Sequence, residues 1–283
     1  MSDAPIAAVR VVTAPPPAPG ARLLAPLGLA SSLGSVAGLS VEDGRIVETL
    51  AELETGQQAA LIAPETGGPV MLTWRYAPAP DAPRYPDAAF RPRRSRWTEA
   101  ADDLATASRA IAEASGGGAA GIAALVAEAR ARFTYDHPET RFNDGCAAVP
   151  YLGCGVAAGS CVDINTYLVA SLRAAGYEAA YLYGYFFPAE KVDRCVDGHC
   201  WVATRCDGEM LDWDIAHHIK AGLDPVRPAL NPRPGRRALI SHSMGHRFAT
   251  ADGEFVLKLL GEPVWLLPGG GVAELDQREI RAL

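Results

Sequence analysis

Residues 159–163 of this chain read GSCVD, and they begin the segment that best predicts the fold. Beyond them, apolar side chains recur at three- and four-residue spacing, as along one face of a helix: Ile164, Leu168 and Leu172. Gly176 follows the last of these, and glycine commonly ends a helix in the left-handed conformation. The pattern predicts a helix that begins at or just after Cys161.

The predicted position of Cys161 at a helix start affects the chemistry of its thiol. The first backbone N–H groups of a helix lack partners within it, and with the helix dipole they stabilise a nearby negative charge. They therefore favour a thiolate and could later bind an oxyanion. A buried, unreactive cysteine near a helix end fits this position equally well, so position alone leaves both interpretations open.

Two strand-like runs downstream are joined by Asp207-Gly208, a dipeptide typical of a two-residue β-hairpin turn. This turn places Trp201 opposite Asp214 and His199 opposite Ala216. Side chains that are opposed, or offset by two positions, share a face of the sheet. His199 and Asp214 are therefore predicted to be diagonal neighbours, close enough for the carboxylate to reach the imidazole.

A cysteine, a histidine and an aspartate in these settings suit nucleophilic acyl chemistry. A histidine can hold a cysteine as its thiolate, and a carboxylate orients the imidazole and stabilises its protonated form. The acceptor that resolves the acyl-thioester decides the reaction. Water makes the protein a hydrolase, whereas an amine makes it an acyltransferase, and the residues alone leave this choice open.

Five features of the sequence resemble the transglutaminase-like superfamily, part of the wider papain-like group of cysteine proteases. They are GSC at 159–161, LRAAG at 172–176, GY at 184–185, GHCW at 198–201, and the aspartate at 214. The resemblance implies an α+β fold in which the helix carrying Cys161 packs on an antiparallel sheet carrying His199 and Asp214. It also implies that these three residues form a catalytic triad that needs no metal and no organic cofactor.

Two residues depart from the pattern of the superfamily. Ala203 stands where many members have glutamate, and Ile215 stands where many have proline after the aspartate. Neither change removes a member of the triad, but both argue against borrowing a substrate from better-known relatives. The resemblance predicts thiol-dependent hydrolysis of amide bonds in a peptide or protein, with acyl transfer of the protein-glutamine transglutaminase type as the alternative.

The character of the sequence changes near residue 96. Before it, short apolar runs are separated by proline and glycine, which predicts a small β-rich N-terminal module over residues 1–95. After it, residues 96–283 are predicted to form the catalytic domain. Two scaffold helices are expected there, the first capped by Thr98 and the second spanning about 119–133.

The sequence has the composition of an ordinary globular protein and argues against nucleic acid or a membrane as a partner. The 283 residues carry a formal net charge of −7, and the short basic run 91–96 is interrupted by proline, which disfavours a nucleic-acid surface. We see no apolar run as long as a membrane span and no secretory signal, so a cytoplasmic location is expected. Structural disulfides are rare there, so the six cysteines are expected to be buried thiols, metal ligands or a nucleophile, and most of them buried thiols: Cys146, Cys154, Cys161, Cys195, Cys200 and Cys206.

A zinc site is one alternative to the triad. Its ligands would be His199 with three cysteines: Cys195, Cys200 and Cys206. Their spacing lacks the CxxC pairs common in structural zinc sites, and adjacent side chains of a regular strand, such as those of His199 and Cys200, point to opposite faces. The sequence therefore favours the triad over the metal.

Two further alternatives concern the end of the hairpin and the fold as a whole. His217 and His218 also invite a metal, but we expect them at the surface or at a hinge because adjacent strand residues diverge. The chain could also be a non-catalytic binding module, since a fold alone does not imply an activity. The presence of all three triad residue types argues against that interpretation.

Overall fold

The computed structural model describes residues 5–153, 155–229, 231–275 and 279–283, so Cys154 lies outside the described residues. The helices are α1 (Asp102–Ala114), α2 (Gly118–Ala131), α3 (Cys161–Ala174) and α4 (Ile215–Lys220). The strands are β1 (Ala8–Val12), β2 (Arg22–Pro26), β3 (Ser35–Glu42), β4 (Gly44–Ala51), β5 (Gln58–Pro64), β6 (Met71–Ala77), β7 (Phe133–Tyr135), β8 (Ala157–Gly159), β9 (Glu178–Pro188), β10 (Arg194–Cys195), β11 (Gly198–Cys206), β12 (Glu209–Trp213), β13 (Gly235–His242), β14 (His246–Thr250), β15 (Gly253–Leu257), β16 (Val264–Leu266), β17 (Val272–Ala273) and β18 (Glu279–Ala282).

The chain divides into two compact units. The first contains the residues up to Pro86 together with 183–198 and 234–283, and the second contains 87–182 and 199–233. The first unit holds two five-stranded antiparallel sheets, with the strand orders β10-β18-β1-β6-β3 and β17-β16-β2-β5-β4. Apolar side chains of the second sheet and of the β14–β15 hairpin form one buried cluster in this unit.

The predicted β-rich character of the N-terminal residues is confirmed, but the compact unit they form extends beyond residue 95. β18, near the C-terminus, pairs with β1, and β16 pairs with β2. The C-terminal strands therefore complete sheets that the N-terminal strands begin. These pairings join residues far apart in the chain, so the predicted division into 1–95 and 96–283 does not coincide with the compact units, and as a domain assignment it stays a prediction.

The second unit contains α1 to α4 and the GSCVD stretch at 159–163. α1, α2 and α3 contact one another, and α4 contacts α3. The predicted helix is confirmed as α3, with Cys161 as its first residue and Gly176 just beyond its end at φ 89°. The apolar face read from the sequence is fully buried at Ile164, Leu168 and Leu172.

The start of α1 differs from the prediction. The helix begins at Asp102 with Ala101 as its N-cap, so Thr98 does not cap it. Val149 donates from its backbone N–H to the carbonyl of Glu99 and accepts from the backbone N–H of Ala101, over 2.8 and 2.9 Å. This pairing holds Ala100 and Ala101 extended, so a tertiary contact delays a helix that the local sequence would begin earlier.

A short parallel pair, β7 with β8, delivers the chain to α3. Tyr135 is paired with Gly159, directly before the helix N-cap. A β-carbon at position 159 would lie 2.8 Å from the Cδ1 atom of Phe133 and 3.0 Å from the Cβ atom of Asp163. Only glycine fits here without displacing its neighbours, which explains the glycine of the GSCVD stretch.

The hairpin predicted around Asp207-Gly208 is confirmed over most of its length. β11 and β12 pair from Cys206 with Glu209 to Val202 with Trp213, and both turn residues have positive φ, as a type I′ turn requires. Beyond Trp213 the prediction is wrong, because the strand ends and α4 begins. Ala216 is consequently a helical residue and not the strand partner of His199.

Within the described residues, none of the helices combines the length and the apolar character that crossing a bilayer would require.

Candidate active site

The start of α3 is fixed by a polar network around Ser160, its N-cap residue. The Asp163 carboxylate accepts hydrogen bonds from the backbone N–H and the hydroxyl of Ser160, each at 2.9 Å. Asp163 is the third residue of the helix, so the hydrogen bond from the Ser160 backbone N–H to its carboxylate is one of the two that form a capping box. The network determines where the helix begins and thereby where the Cys161 thiol projects.

Arg141 joins this network from the irregular stretch between β7 and β8. Its Nη1 atom lies 2.8 Å from Asp163 Oδ2 and 3.2 Å from Ser160 Oγ. The side chain of Asp163 is 1% exposed, so the guanidinium compensates a buried carboxylate beside the cysteine. Sequence reasoning missed Arg141 because it lies 22 residues from Asp163, and no local pattern links the two.

His199 and Asp214 meet as predicted. The Nε2 atom of His199 lies 2.8 Å from Asp214 Oδ2, and the two residues are 4% and 0% exposed. An ionised carboxylate only accepts hydrogen bonds, so Nε2 carries the proton of this contact. Nδ1 of the ring is thereby left for the sulfur, and a hydrogen bond between His199 and Cys161 contributes to the pKa of each.

The environment lowers the pKa of Cys161 well below that of an ordinary thiol. A hydrogen bond from the Cys200 thiol is the largest cause, and the hydrogen bond and charge of His199 and the backbone N–H of Cys200 add to it against the effect of burial. Burial and the neighbouring Cys161 sulfur conversely raise the pKa of Cys200 well above its usual value. Cys161 is therefore the sulfur of this pair that ionises, and Cys200 stays a thiol that donates to it.

The pKa of His199 is raised above that of a free imidazole. Burial acts to lower it, but the charge and hydrogen bond of Asp214, followed by those of Cys161, outweigh burial. A lowered thiol pKa beside a raised imidazole pKa favours a thiolate–imidazolium pair. Such a pair is the reactive form of a cysteine nucleophile.

The sequence predicted that the side chains of His199 and Cys200 point to opposite faces of a regular strand. In the structure, both residues interact with Cys161. Both residues belong to β11 (Gly198–Cys206) and come before its first pair with β12, that of Val202 with Trp213. Asn165 of α3 holds this end of the strand through hydrogen bonds from its Nδ2 atom to the Cys200 carbonyl at 2.9 Å and to its sulfur at 3.4 Å.

The prediction that His217 and His218 lie at the surface or at a hinge is wrong. Both are on α4, where they are 2% and 3% exposed. His218 bridges the main chain: its Nδ1 atom lies 2.8 Å from the Asp214 carbonyl, and its Nε2 atom accepts from the backbone N–H of Arg227 at 3.2 Å. His217 contacts the triad itself, with its ring stacked on that of His199 at a centroid distance of 3.8 Å and an angle of 5°.

The four residues considered for zinc do not form a cluster of potential ligands in the part of the chain that the structure describes. The group close enough to share an ion consists of His199, Asp214 and His217. An imidazole nitrogen binds a metal through a lone pair in the plane of its ring. Two rings stacked at 5° lie in parallel planes and cannot both direct that lone pair at one ion, so this arrangement does not suit a metal.

Residues 103–213 match the family model described as the transglutaminase-like superfamily, which confirms the resemblance read from the sequence. Cys161 and His199 lie inside the matched segment, and Asp214 is the residue directly after it. The chain thus carries a transglutaminase-like core. Among curated proteins, none matches the chain.

Among solved structures, one aligns with nearly the whole chain. A protein from Cytophaga hutchinsonii, described as a "putative cysteine protease", aligns with a TM-score of 0.50 at 12% identity and covers 99% of each chain. The periplasmic domain of TgpA from Pseudomonas aeruginosa aligns with a TM-score of 0.38 at 15% identity, covering 78% of this chain and 90% of the other. At 12% identity, the first of these likenesses supports the α+β fold.

Proposed function

We propose that this chain is a thiol-dependent hydrolase of amide bonds, a peptidase that uses Cys161, His199 and Asp214 as its triad. The observation that carries the proposal is the buried 2.8 Å contact between His199 Nε2 and Asp214 Oδ2, made by a ring that also interacts with Cys161. The peptide or protein substrate and the cytoplasmic location remain predictions from the sequence.

The proposed reaction begins with attack of the Cys161 thiolate on a substrate carbonyl carbon. Backbone N–H groups at the start of α3 face the charge that develops on the carbonyl oxygen, and the helix dipole stabilises it. As the tetrahedral intermediate collapses, the imidazolium of His199 gives its Nδ1 proton to the leaving amine. An acyl-thioester on Cys161 and a neutral His199 result.

The second half of the reaction resolves the acyl-thioester. Neutral His199 accepts a proton from water as the water oxygen attacks the thioester carbonyl. Collapse of this intermediate releases a carboxylic acid and the Cys161 thiolate, and His199 is again an imidazolium. Asp214 remains ionised throughout, because its task is to orient the ring and stabilise its positive charge.

Acyl transfer uses the same first half and differs only in the acceptor. A transglutaminase-type enzyme would admit an amine to the acyl-thioester, so the two activities separate in a competition between water and a primary amine. We expect free carboxylic acid to be the main product in an equimolar mixture of labelled glutamine-containing peptide and amine at low concentration. Predominant amine incorporation would replace hydrolase with acyltransferase.

Alkylation of the thiol tests the triad without knowledge of the substrate. Iodoacetamide at neutral pH should label Cys161 faster than the half-buried Cys146 of the same molecule, measured site by site by mass spectrometry. His199→Ala should remove the advantage, and Cys161→Ala should abolish turnover while the fold persists. Equal labelling of the two cysteines, unaffected by His199→Ala, would favour a non-catalytic binding module.

A further inference from the structure

We propose that His217 is a positioning residue for the triad, which holds the Asp214 carboxylate and the His199 ring in their reactive orientations. The inference rests on the proposed function, since it assigns His217 a role only through His199 and Asp214. His217 lies one helical turn beyond the aspartate, on the first turn of α4.

The first part of this role concerns Asp214. The backbone N–H of His217 donates to Asp214 Oδ1 at 3.0 Å, which makes the aspartate the N-cap of α4. The other carboxylate oxygen, Oδ2, receives His199 Nε2. Each oxygen is thus held by a different residue, and the carboxylate cannot turn without breaking one of these contacts. A carboxylate that is 0% exposed depends on such partners to remain ionised.

The side chain of His217 adds a contact to the same oxygen that His199 uses. Its Nδ1 atom lies 3.0 Å from Asp214 Oδ2, although the ring does not aim an N–H directly at that oxygen. We therefore treat this as a close polar contact and not as a linear hydrogen bond. It places a second imidazole nitrogen beside the shared oxygen and limits the directions from which that oxygen can be approached.

The second part concerns the plane of the His199 ring. Rotation of a histidine about its outer side-chain bond is broad, so the backbone does not fix the ring plane. The face of His217 lies 3.8 Å from that of His199 and is parallel to it within 5°. Any substantial rotation of His199 would drive one edge of its ring into His217. The stack therefore keeps Nε2 on Asp214 and Nδ1 toward Cys161 at the same time.

Three substitutions separate the two contributions. His217→Phe keeps a flat ring for stacking but removes Nδ1, His217→Asn keeps a polar nitrogen near that position but removes the ring, and His217→Ala removes both. All three keep the backbone N–H that donates to the capping Asp214 side chain. His218→Gln is the matched control, because His218 is equally buried on the same helix but contacts only the main chain among the hydrogen bonds described for it.

The measured quantities are the rate of Cys161 alkylation by iodoacetamide as a function of pH, and the melting temperature of each variant. We expect His217→Ala to slow alkylation at neutral pH about tenfold, because a thiol pKa one unit higher lowers the thiolate fraction by that factor. The midpoint of the alkylation rate against pH should move to higher pH. His217→Phe and His217→Asn should each retain part of the rate. His218→Gln should lower the melting temperature but leave the pH dependence of Cys161 alkylation in the folded protein unchanged.

Two results would overturn the inference. One is a rate of Cys161 alkylation equal to that of the wild type in every His217 variant that folds. The other is a shift of the same size in His218→Gln, which would reduce His217 to a role in stability. If His217→Ala does not fold, the Phe and Asn variants decide by the same criteria. The proposed function fails separately, if His199→Ala does not slow the alkylation of Cys161. If His199→Ala slows alkylation but the His217 variants keep the wild-type rate, only the inference about His217 is contradicted.

Discussion

His199 and Asp214 make a 2.8 Å contact although they are not partners in the β11–β12 ladder. Ladder pairing ends at Trp213, and Asp214 is already the N-cap of α4. The aspartate thus serves the histidine with one carboxylate oxygen and the helix with the other. The contact with the helix therefore holds the carboxylate through an oxygen that His199 does not use.

Replacement of this aspartate should disable the thiolate. Asp214→Asn keeps the shape of the side chain but removes the charge that raises the pKa of His199. We expect alkylation of Cys161 at neutral pH to fall toward the rate of an ordinary thiol, and turnover to fall by on the order of 10⁴-fold, as in triads whose aspartate becomes asparagine.

The control is Asp212→Asn, two residues earlier, where a carboxylate that is 5% exposed lies opposite Ala203 in the ladder. Alkylation is measured by mass spectrometry under matched conditions for both variants. If Cys161 in Asp214→Asn is alkylated at the wild-type rate, or if Asp212→Asn lowers that rate as much, the role assigned to Asp214 is wrong.

The pH dependence of alkylation should reveal the thiolate–imidazolium pair. The pKa of Cys161 is lowered, so its thiolate persists below the ordinary thiol value of about 8.5, and the pKa of His199 is raised, so its imidazolium persists above about 6.5. The pair is charged between these two shifted values. Its contribution to stability is lost as pH falls through the lowered pKa of Cys161 and as pH rises through the raised pKa of His199.

The same chain in denaturant provides the reference. We expect the ratio of native to denatured alkylation rates at Cys161 to increase steadily as pH is lowered from 9 toward 6, since the unfolded thiol loses about tenfold in thiolate per unit below its pKa. A ratio that stays constant over this interval would mean that the pKa of the Cys161 thiol is not displaced in the folded protein.

Much of this site was predictable from local sequence, and what was missed has a physical reason. The turn at 207–208 predicted the hairpin and so brought His199 and Asp214 together, because turn type determines register. His217 was missed because the strand pattern was extended past Trp213. An aspartate directly before the apolar Ile215 could have indicated the N-cap of a helix, and that signal was available in the sequence.

Long-range contacts were beyond the reach of local patterns. Nothing in the periodicity of residues 279–282 indicates that this strand pairs with β1, yet that pairing decides the composition of the first unit. The contact between Arg141 and Asp163 is of the same kind, and so is the pairing of Val149 that delays α1. Such contacts reflect tertiary structure, which sequence spacing does not encode.

Arg141 should stabilise the start of α3. Arg141→Ala would leave the Asp163 carboxylate, which is 1% exposed, without its cationic partner. We expect a loss of about 1–3 kcal/mol in the free energy of unfolding, toward the lower end because the arginine side chain is 36% exposed and partly screened by solvent. Urea denaturation measures the change.

Arg132→Ala provides the comparison, because Arg132, the C-cap residue of α2, forms an i, i+4 pair with Glu128, and the two side chains are 18% and 20% exposed. That pair should contribute only a few tenths of a kcal/mol. Equal losses in the two variants would show that Arg141 has no special role at the nucleophile helix. Arg141→Lys should recover part of the loss, since it restores the charge without the planar fork.

Gly159 should be intolerant of any side chain, with consequences for the nucleophile. In Gly159→Ala the new methyl group would lie 2.8 Å from the Phe133 ring and 3.0 Å from the Asp163 Cβ atom. Phe133 is buried, so the strain must be relieved by moving β8 or the start of α3. We expect a loss of about 1–3 kcal/mol in the free energy of unfolding.

The same variant should slow alkylation of Cys161 per folded molecule, because a shift of Ser160 and Asp163 changes the position of the helix start. Gly155→Ala is the matched control in the same stretch, since its nearest neighbour, the Leu152 carbonyl oxygen, would lie at 3.4 Å, an ordinary contact. Urea denaturation and alkylation kinetics together separate the two effects. A Gly159→Ala protein with wild-type stability and wild-type alkylation would mean that the GSCVD stretch tolerates a larger residue and does not fix Cys161.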